Sequence, residues 1–244
     1  MLLRILAVLL SSLALMPGAA RAAAIVIWPV DPKIAADQRA TALWIENKGG
    51  EPVTMQIRTM RWSQGAEGDR HADQDEIVVS PPIAVIPAGQ RQLIRVLRRE
   101  QARGAAAAPA GPGERSYRLL IDEIPTASTP GATPRPAAQL AVQMRYSVPL
   151  FTYAGAVADA RPELGVTTEA VAGRRMLVIH NAGALHARLV DIRAADDRKT
   201  VLVPGLAGYV LAGQTMRWPL PDTTRTSAAI VANVNGADQR IGVR

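Results

Sequence analysis

The sequence of 244 residues contains no cysteine, so disulfide bonds do not hold its fold together. It has only three histidines, and they show no His-x-x-x-His spacing that would indicate a zinc site. A Gly-x-Ser-x-Gly motif and a glycine-rich loop between a strand and a helix are also missing. These absences argue against an enzyme, and we expect no catalytic residue, no metal and no cofactor.

Asp122 and Glu123 are neighbouring carboxylates that could suggest a catalytic acid pair. Adjacent residues of a strand project to opposite faces, so these two cannot form the facing acid pair of a glycosidase. We interpret both as structural residues.

The sequence has no apolar run long enough to span a bilayer, but it begins with a shorter one. Arg4 precedes an apolar stretch over residues 5–16, and Ala20-Arg21-Ala22 fits a small-x-small cleavage site. Residues 1–24 are therefore predicted to be a signal peptide, with cleavage after Ala22 or Ala24 both open. The remaining chain is expected to be soluble outside the cytoplasm.

The formal net charge is +7, and removal of the two leader arginines lowers it to about +5. The arginines are spread along the chain, and only residues 91–99 are locally dense, which we interpret as a solvated strand face. A nucleic-acid surface would be clustered and interleaved with aromatics, so nucleic acid is not an expected partner. Neither is a small-molecule substrate, whereas acidic partners stay open.

Alternating apolar and polar residues dominate the chain, as in residues 53–59, with turn signals about every ten residues. This pattern predicts an all-β fold of antiparallel sandwiches. The pattern pauses over residues 153–163, where we place a boundary between domains 25–153 and 154–244. In the second domain, strands are predicted at residues 176–180, 189–192, 201–203, 209–211, 216–220 and 230–234. Two Ala/Gly/Pro-rich stretches, residues 102–113 and 126–137, are predicted to be loops.

Several segments, taken in order, carry a resemblance to a known family. They are residues 27–32 (IWPVDP), 42–47 (ALWIEN), 61–64 (RWSQ), 80–83 (SPPI), 87–90 (PAGQ), 114–119 (ERSYRL), 123–125 (EIP) and 145–151 (RYSVPLF). With the leader in front, the chain resembles the periplasmic chaperones of the chaperone–usher pilus pathway, in particular the archaic class. The resemblance implies two immunoglobulin-like sandwiches set at an angle.

The resemblance also implies donor-strand complementation, in which the chaperone lends a strand to a pilus subunit that lacks one. The matching segment is residues 138–145, and the implied subunit-binding residues are Ala138, Leu140, Val142 and Met144. Leu140, Val142 and Met144 share one face of a strand, but packing into the protein's own core is an alternative for them. A register slip of one residue would invert the donated face.

Chaperones of this family also bind the C-terminal carboxylate of the subunit with two basic residues. The resemblance implies Arg145 near the end of the donor strand and Lys33 on the first strand. A gapless match puts the family's donor-strand lysine nearer Ser147, two residues from Arg145 on the same face of the strand. At one alignment Asp31 stands where the family has an arginine, so the position of the first basic residue stays open. Arg118 is interpreted as structural, together with Glu123, in an interdomain salt bridge.

The expected partners are pilus subunits and an outer-membrane usher, with self-association through the exposed strand as a further expectation for the subunit-free form. The expected location is the periplasm, after cleavage of the signal peptide. The alternative hypotheses are a secreted two-sandwich structural or adhesin subunit and, less favoured, a periplasmic hydrolase.

Overall fold

The computed structural model describes residues 24–99, 113–125, 143–197, 200–221 and 228–243. Within these ranges the chain forms strands, turns and loops, and no helix. The predicted loops at residues 102–113 and 126–137 lie outside the described residues, apart from Gly113.

The first half of the chain builds one sandwich. Its strands are β1 (Ile25–Trp28), β2 (Lys33–Ile34), β3 (Ala40–Asn47), β4 (Val53–Gly65), β5 (Gly68–Ala72), β6 (Ile77–Ser80), β7 (Ile83–Ile86), β8 (Arg91–Arg98), β9 (Arg115–Ile124) and β10 (Arg145–Thr152). One sheet has the order β1-β3-β8-β6, and the other has the order β2-β10-β9-β4-β5 with β7 also paired to β4.

Alternation along the strands decides which face of each sheet enters the core. On β4, Val53, Met55 and Ile57 are buried, while the residues between them are half-buried. The same period of two places Leu43 and Ile45 of β3 in the core, opposite them. The resulting apolar core between the two sheets is the main stabilising feature of this sandwich.

The second half of the chain builds a separate sandwich. Its strands are β11 (Leu164–Val171), β12 (Arg174–Asn181), β13 (Ala187–Ala194), β14 (Val201–Val210), β15 (Thr215–Pro219), β16 (Ala229–Val234) and β17 (Ala237–Gly242). They form a sheet of order β11-β12-β15 and a sheet of order β14-β13-β16-β17, with a second apolar core between them. The predicted fold class, all-β with two immunoglobulin-like sandwiches, is confirmed.

Two buried asparagines organise equivalent turns in the two sandwiches. The Asn47 amide donates to the backbone oxygens of Glu51 (2.7 Å) and Ile86 (3.0 Å), and its own oxygen accepts from Gly49 N–H. The Asn181 amide donates to the backbone oxygens of Leu185 (2.7 Å) and Val210 (3.1 Å). Each asparagine therefore ends a strand and satisfies buried backbone groups around it.

A third apolar cluster joins the sandwiches. It contains Trp62, Phe151, Tyr153, Tyr209 and Leu211, which come from β4, from β10 and the residue after it, and from β14 and the residue after it. The ring of Phe151 stacks flat on the ring of His186, with centroids 3.5 Å apart. Sheet β2-β10-β9-β4-β5 is thus in direct contact with the second sandwich.

Candidate functional site

Within the described part of the chain, strand β10 is paired along its whole length on one side and over two residues on the other. On the first side it runs antiparallel to β9, from Arg145 opposite Asp122 to Thr152 opposite Arg115. On its other side it pairs with the two residues of β2, opposite Phe151 and Thr152. From Arg145 to Leu150 the second edge of β10 therefore has no strand partner among the described residues.

Backbone hydrogen bonds show which groups lie on this open edge. Glu123 N–H donates to Met144 O (3.0 Å), whereas the N–H groups of Phe151 and Tyr153 donate away from β9, to Pro32 O and Ile34 O. Because successive residues of a strand direct their N–H and C=O groups to alternate sides, Arg145 and Ser147 direct theirs to the open edge. A strand added there would find an unused row of donors and acceptors.

The side chains of β10 also alternate. Val148 (7% exposed) and Leu150 (0%) face the core of the first sandwich, and Tyr146 packs partly against it. Met144 falls on this same face, yet 42% of it is exposed. The apolar face of the strand therefore extends beyond the end of its own core. Three of the predicted subunit-binding residues, Ala138, Leu140 and Val142, lie outside the described residues.

Arg145 begins β10 with a side chain that is 64% exposed, on the outer face of the sheet. It donates to Asp122, whose other carboxylate oxygen accepts from Arg58 at 2.8 Å. Burial opposes ionisation of Asp122, but the two arginines outweigh it and lower the pKa of this carboxyl. Asp122 therefore holds the predicted basic residue of the donor strand against the sheet.

Lys33 lies on β2, directly opposite Phe151, with its side chain 52% exposed and its amine 4.0 Å from Asp31. It is displaced by six residues along β10 from Arg145, which corresponds to about 20 Å. The structure thus places the two predicted basic residues at opposite ends of β10 and does not bring them together.

A third cation lies nearer to Lys33. Arg118 of β9 is opposite Pro149 of β10, so its backbone is roughly 12 Å from that of Lys33 across two strand spacings. Its guanidinium lies 3.6 Å from the ring centre of Trp62 and 3.4 Å from Asp69. Burial lowers the pKa of Arg118, as expected for a cation withdrawn from water.

Sequence reasoning gave Arg118 a structural role and grouped it with Glu123. The structure separates the two: Arg118 packs between the sandwiches beside Tyr209, whereas Glu123 lies five residues along β9, near the point where β10 begins. In the sequence, Arg118 stands between Tyr117 and Leu119, which face the core, so alternation predicts that Arg118 points outward from the sheet. Alternation does not predict which part of the protein packs against an outward side chain.

Hydrogen bonds across the domain junction fix the position of the second sandwich relative to β10. Gln64 of β4 donates to Tyr209 O and accepts from Leu211 N–H, both at 2.9 Å. Glu114, just before β9, accepts from the backbone N–H of His186 at 2.9 Å and lies 2.7 Å from Nδ1 of the same residue. Three adjacent strands of one sheet therefore share contacts with the second sandwich.

Among the described residues, no group of three or more His, Cys, Asp or Glu side chains is arranged to hold a metal ion. His180 lies at the surface beside the Thr215 hydroxyl, 2.9 Å away. The described part of the chain contains no helix that is both long and apolar enough to cross a membrane.

Comparison with known proteins identifies the family. Residues 25–153 match the family model for the pili and flagellar-assembly chaperone, PapD N-terminal domain. This match covers more than half of the chain, so the chain belongs to this family of assembly chaperones. Chaperones of this family are periplasmic. None of the curated protein sequences matches the chain.

Solved structures extend the similarity over both sandwiches. The chaperone in the CsuC–CsuE chaperone–tip adhesion subunit pre-assembly complex of archaic Csu pili from Acinetobacter baumannii is 29% identical, with a TM-score of 0.70, over 91% of this chain and 98% of that one. This match agrees with the resemblance to the archaic class.

More distant structures share the fold. SafB, solved with the SafA pilin of Salmonella enterica, is 15% identical with a TM-score of 0.63, over 93% of this chain and 98% of that one. The CupB2 chaperone of Pseudomonas aeruginosa is 15% identical with a TM-score of 0.58, over 90% of this chain and 100% of that one.

Proposed function

We propose that this chain is a periplasmic chaperone that stabilises pilus subunits by donor-strand complementation and delivers them to an outer-membrane usher. The observation that carries the proposal is the state of β10. From Arg145 to Leu150 one of its edges has no strand partner within the described ranges, and its apolar face continues past its own core at Met144. An incomplete subunit supplies the complementary features, an unpaired strand edge and an exposed apolar groove. Membership of the chaperone family favours this function over the alternative of a secreted structural or adhesin subunit.

Residues Ala138, Leu140 and Val142 have the same parity as Met144, so in a continuous strand they extend its apolar face into the subunit. Burial of an aliphatic side chain contributes about 1.5–3 kcal/mol before the costs of association. The backbone groups of Arg145 and Ser147 would pair with an edge strand of the subunit.

The basic residues are proposed to act at two places. Lys33, at the domain junction, would bind the C-terminal carboxylate of a subunit, and Arg118, which is nearer to Lys33 than Arg145 is, would be the second cation. Arg145 is placed to bind the subunit at the other end of the same strand. Hydrogen bonds to charged groups contribute about 1.5–3 kcal/mol each when they exclude water.

The test compares glutamate substitutions on and off the proposed donor face. Met144→Glu and Leu140→Glu place a charge in an apolar groove, so recovery of a pilus subunit co-expressed from the same gene cluster should fall more than tenfold. Val201→Glu is the control, because Val201 is equally exposed (43%) but lies on β14. All three variants should melt like the parent protein.

Normal recovery of the subunit with both donor-face variants would rule out donation of this face. A loss of recovery with Val201→Glu as well would show that the effect is not specific to β10.

A further inference from the structure

Glu123 has a carboxylate oxygen that is buried without a hydrogen-bond partner among the described residues. Its Oε2 atom is one of three such side-chain atoms there. A buried polar atom of this kind costs free energy in the isolated protein, and native structures rarely retain one without a reason.

The side chain of Glu123 points toward the core side of β9. Tyr117, Leu119 and Ile121 alternate into the core of the first sandwich, and Glu123 is the next residue in that series. Asp122 lies on the opposite face, where it binds Arg58 and Arg145. The two neighbouring carboxylates therefore have different surroundings, one fully paired and one not.

The neighbours of Glu123 on both adjacent strands are methionines. Met55 of β4 is opposite it on one side, and Met144, just before β10, shares a backbone bond with it on the other. Tyr146 of β10 is opposite Ile121, the next residue on the same face of β9, and burial and then the Glu123 charge raise the pKa of its phenol. The carboxylate thus lies at the end of the core, where the apolar face of the strand emerges at Met144.

We propose that Glu123 is a specificity-determining residue that accepts a hydrogen bond from an N–H group of the bound subunit, next to Met144. This inference rests on the proposed function, since the donor comes from a subunit seated against β10. A subunit that presents an N–H group at this end of its groove satisfies Oε2, and one that presents only apolar atoms there leaves it unpaired.

The proposal predicts opposite effects of one substitution on folding and on binding. In the full chain, Glu123→Leu removes an unsatisfied buried atom, so the melting temperature of the free protein should rise by roughly 2–4 °C. The same variant loses the acceptor, so dissociation of the co-expressed pilus subunit should be about tenfold faster. Glu123→Gln keeps a carbonyl acceptor and should bind within about threefold of the parent protein.

Glu76→Leu is the matched control for the stability effect. Glu76 is also partly buried, but it is bound by Arg61, Arg115 and Tyr117, so its removal should lower the melting temperature. A Glu123→Leu variant that binds the subunit like the parent protein would overturn the proposal, as would one that melts at a lower temperature. Binding lost with Glu123→Leu and also with Glu123→Gln would show that shape or charge, not the acceptor, matters.

Comparison with the donor-face variants distinguishes failure of donor-strand binding from failure of the role proposed for Glu123. If Met144→Glu loses the subunit and Glu123→Leu does not, donor-strand binding stands and the role of Glu123 fails. If Met144→Glu and Leu140→Glu both bind the subunit normally, donation of this face is ruled out, and the role of Glu123 fails with it.

Discussion

Glu76 lies in the connection between β5 and β6, and its carboxylate joins residues of two other strands. It accepts hydrogen bonds from Arg61 of β4 and from Arg115 and Tyr117 of β9, the last at 2.6 Å. Burial opposes ionisation of Glu76, but these donors outweigh it and lower its pKa, while burial and the Glu76 charge raise the pKa of Tyr117 to about 12. These hydrogen bonds hold the connection between β5 and β6 against the sheet that contains β4 and β9.

Replacement of Glu76 by glutamine should lower the free energy of unfolding by about 2 kcal/mol near neutral pH, since three donors lose their charged acceptor. The pKa of Glu76 is lower in the folded than in the unfolded protein, so its contribution is complete above the unfolded value. It is lost as the pH falls through the folded value. Urea titrations of both proteins between pH 7 and pH 3 should therefore show a difference that shrinks toward acid; a constant difference would contradict this assignment.

For single residues, the sequence predicted which side chains alternate between the two faces of a strand. It did not predict which side chains form ion pairs or contacts with distant parts of the chain. Arg145 and Lys33, the two predicted carboxylate-binding residues, are both more than half exposed, and their role in binding a subunit stays a prediction. Their separation along β10 could not be predicted, because it depends on the pairing of β2 with Phe151 and Thr152. Long-range register of that kind has no local sequence signal.

Strand β4 extends over 13 residues and serves both the core and the domain junction. Its first part carries Met55 and Ile57 in the core of the first sandwich. Near its end, Gln64 (7% exposed) contacts β14 and Leu211, which follows it. One element therefore links the packing of the first sandwich to the position of the second.

Gln64→Ala should uncouple the two sandwiches, because it leaves the buried Tyr209 O and Leu211 N–H without their partner at a cost of about 1–3 kcal/mol. Calorimetry should resolve two unfolding transitions where the parent protein shows one. Gln56→Ala, on the same strand but away from the junction, is the control and should leave a single transition. Identical thermograms for the two variants would show that Gln64 does not couple the domains.

The second sandwich shows which strands can be predicted from the alternation of apolar and polar residues and which cannot. Strands β12, β13, β15 and β16 were predicted because their inward residues are strongly apolar. Strands β11 and β17 were missed, because most of their residues are exposed and Val166 is the one buried residue in the two strands. Residues 201–203 and 209–211 were predicted as two strands, whereas β14 is continuous from Val201 to Val210.

Two glycines explain why β14 was predicted as two strands. Gly205 and Gly208 have positive φ angles of 63° and 133°, and the pairing of β13 with β14 shifts register beside them. In a sequence, glycines at this spacing indicate a turn, but in this strand they accompany β-bulges that leave the sheet intact.

For the whole molecule, the open edge of β10 and the domain junction belong to one sheet. Phe151 lies at the end of β10 and stacks on His186 of the second sandwich, while Met144 lies at the other end, beyond the core. The second sandwich therefore fixes one end of the strand and leaves the other end accessible. This arrangement suits a protein that must hold a partner without changing its own fold.

The most direct test of this account is amide hydrogen exchange at Arg145 and Ser147, measured in the free protein and in its complex with a co-expressed pilus subunit. Both N–H groups lie on the open edge, so they should exchange quickly in the free protein and become at least tenfold slower in the complex. Amides that bond to β9, such as those of Tyr146 and Val148, should change much less. Unchanged exchange at Arg145 and Ser147 in a stable complex would show that the subunit does not pair with this edge, and would contradict donor-strand binding by β10.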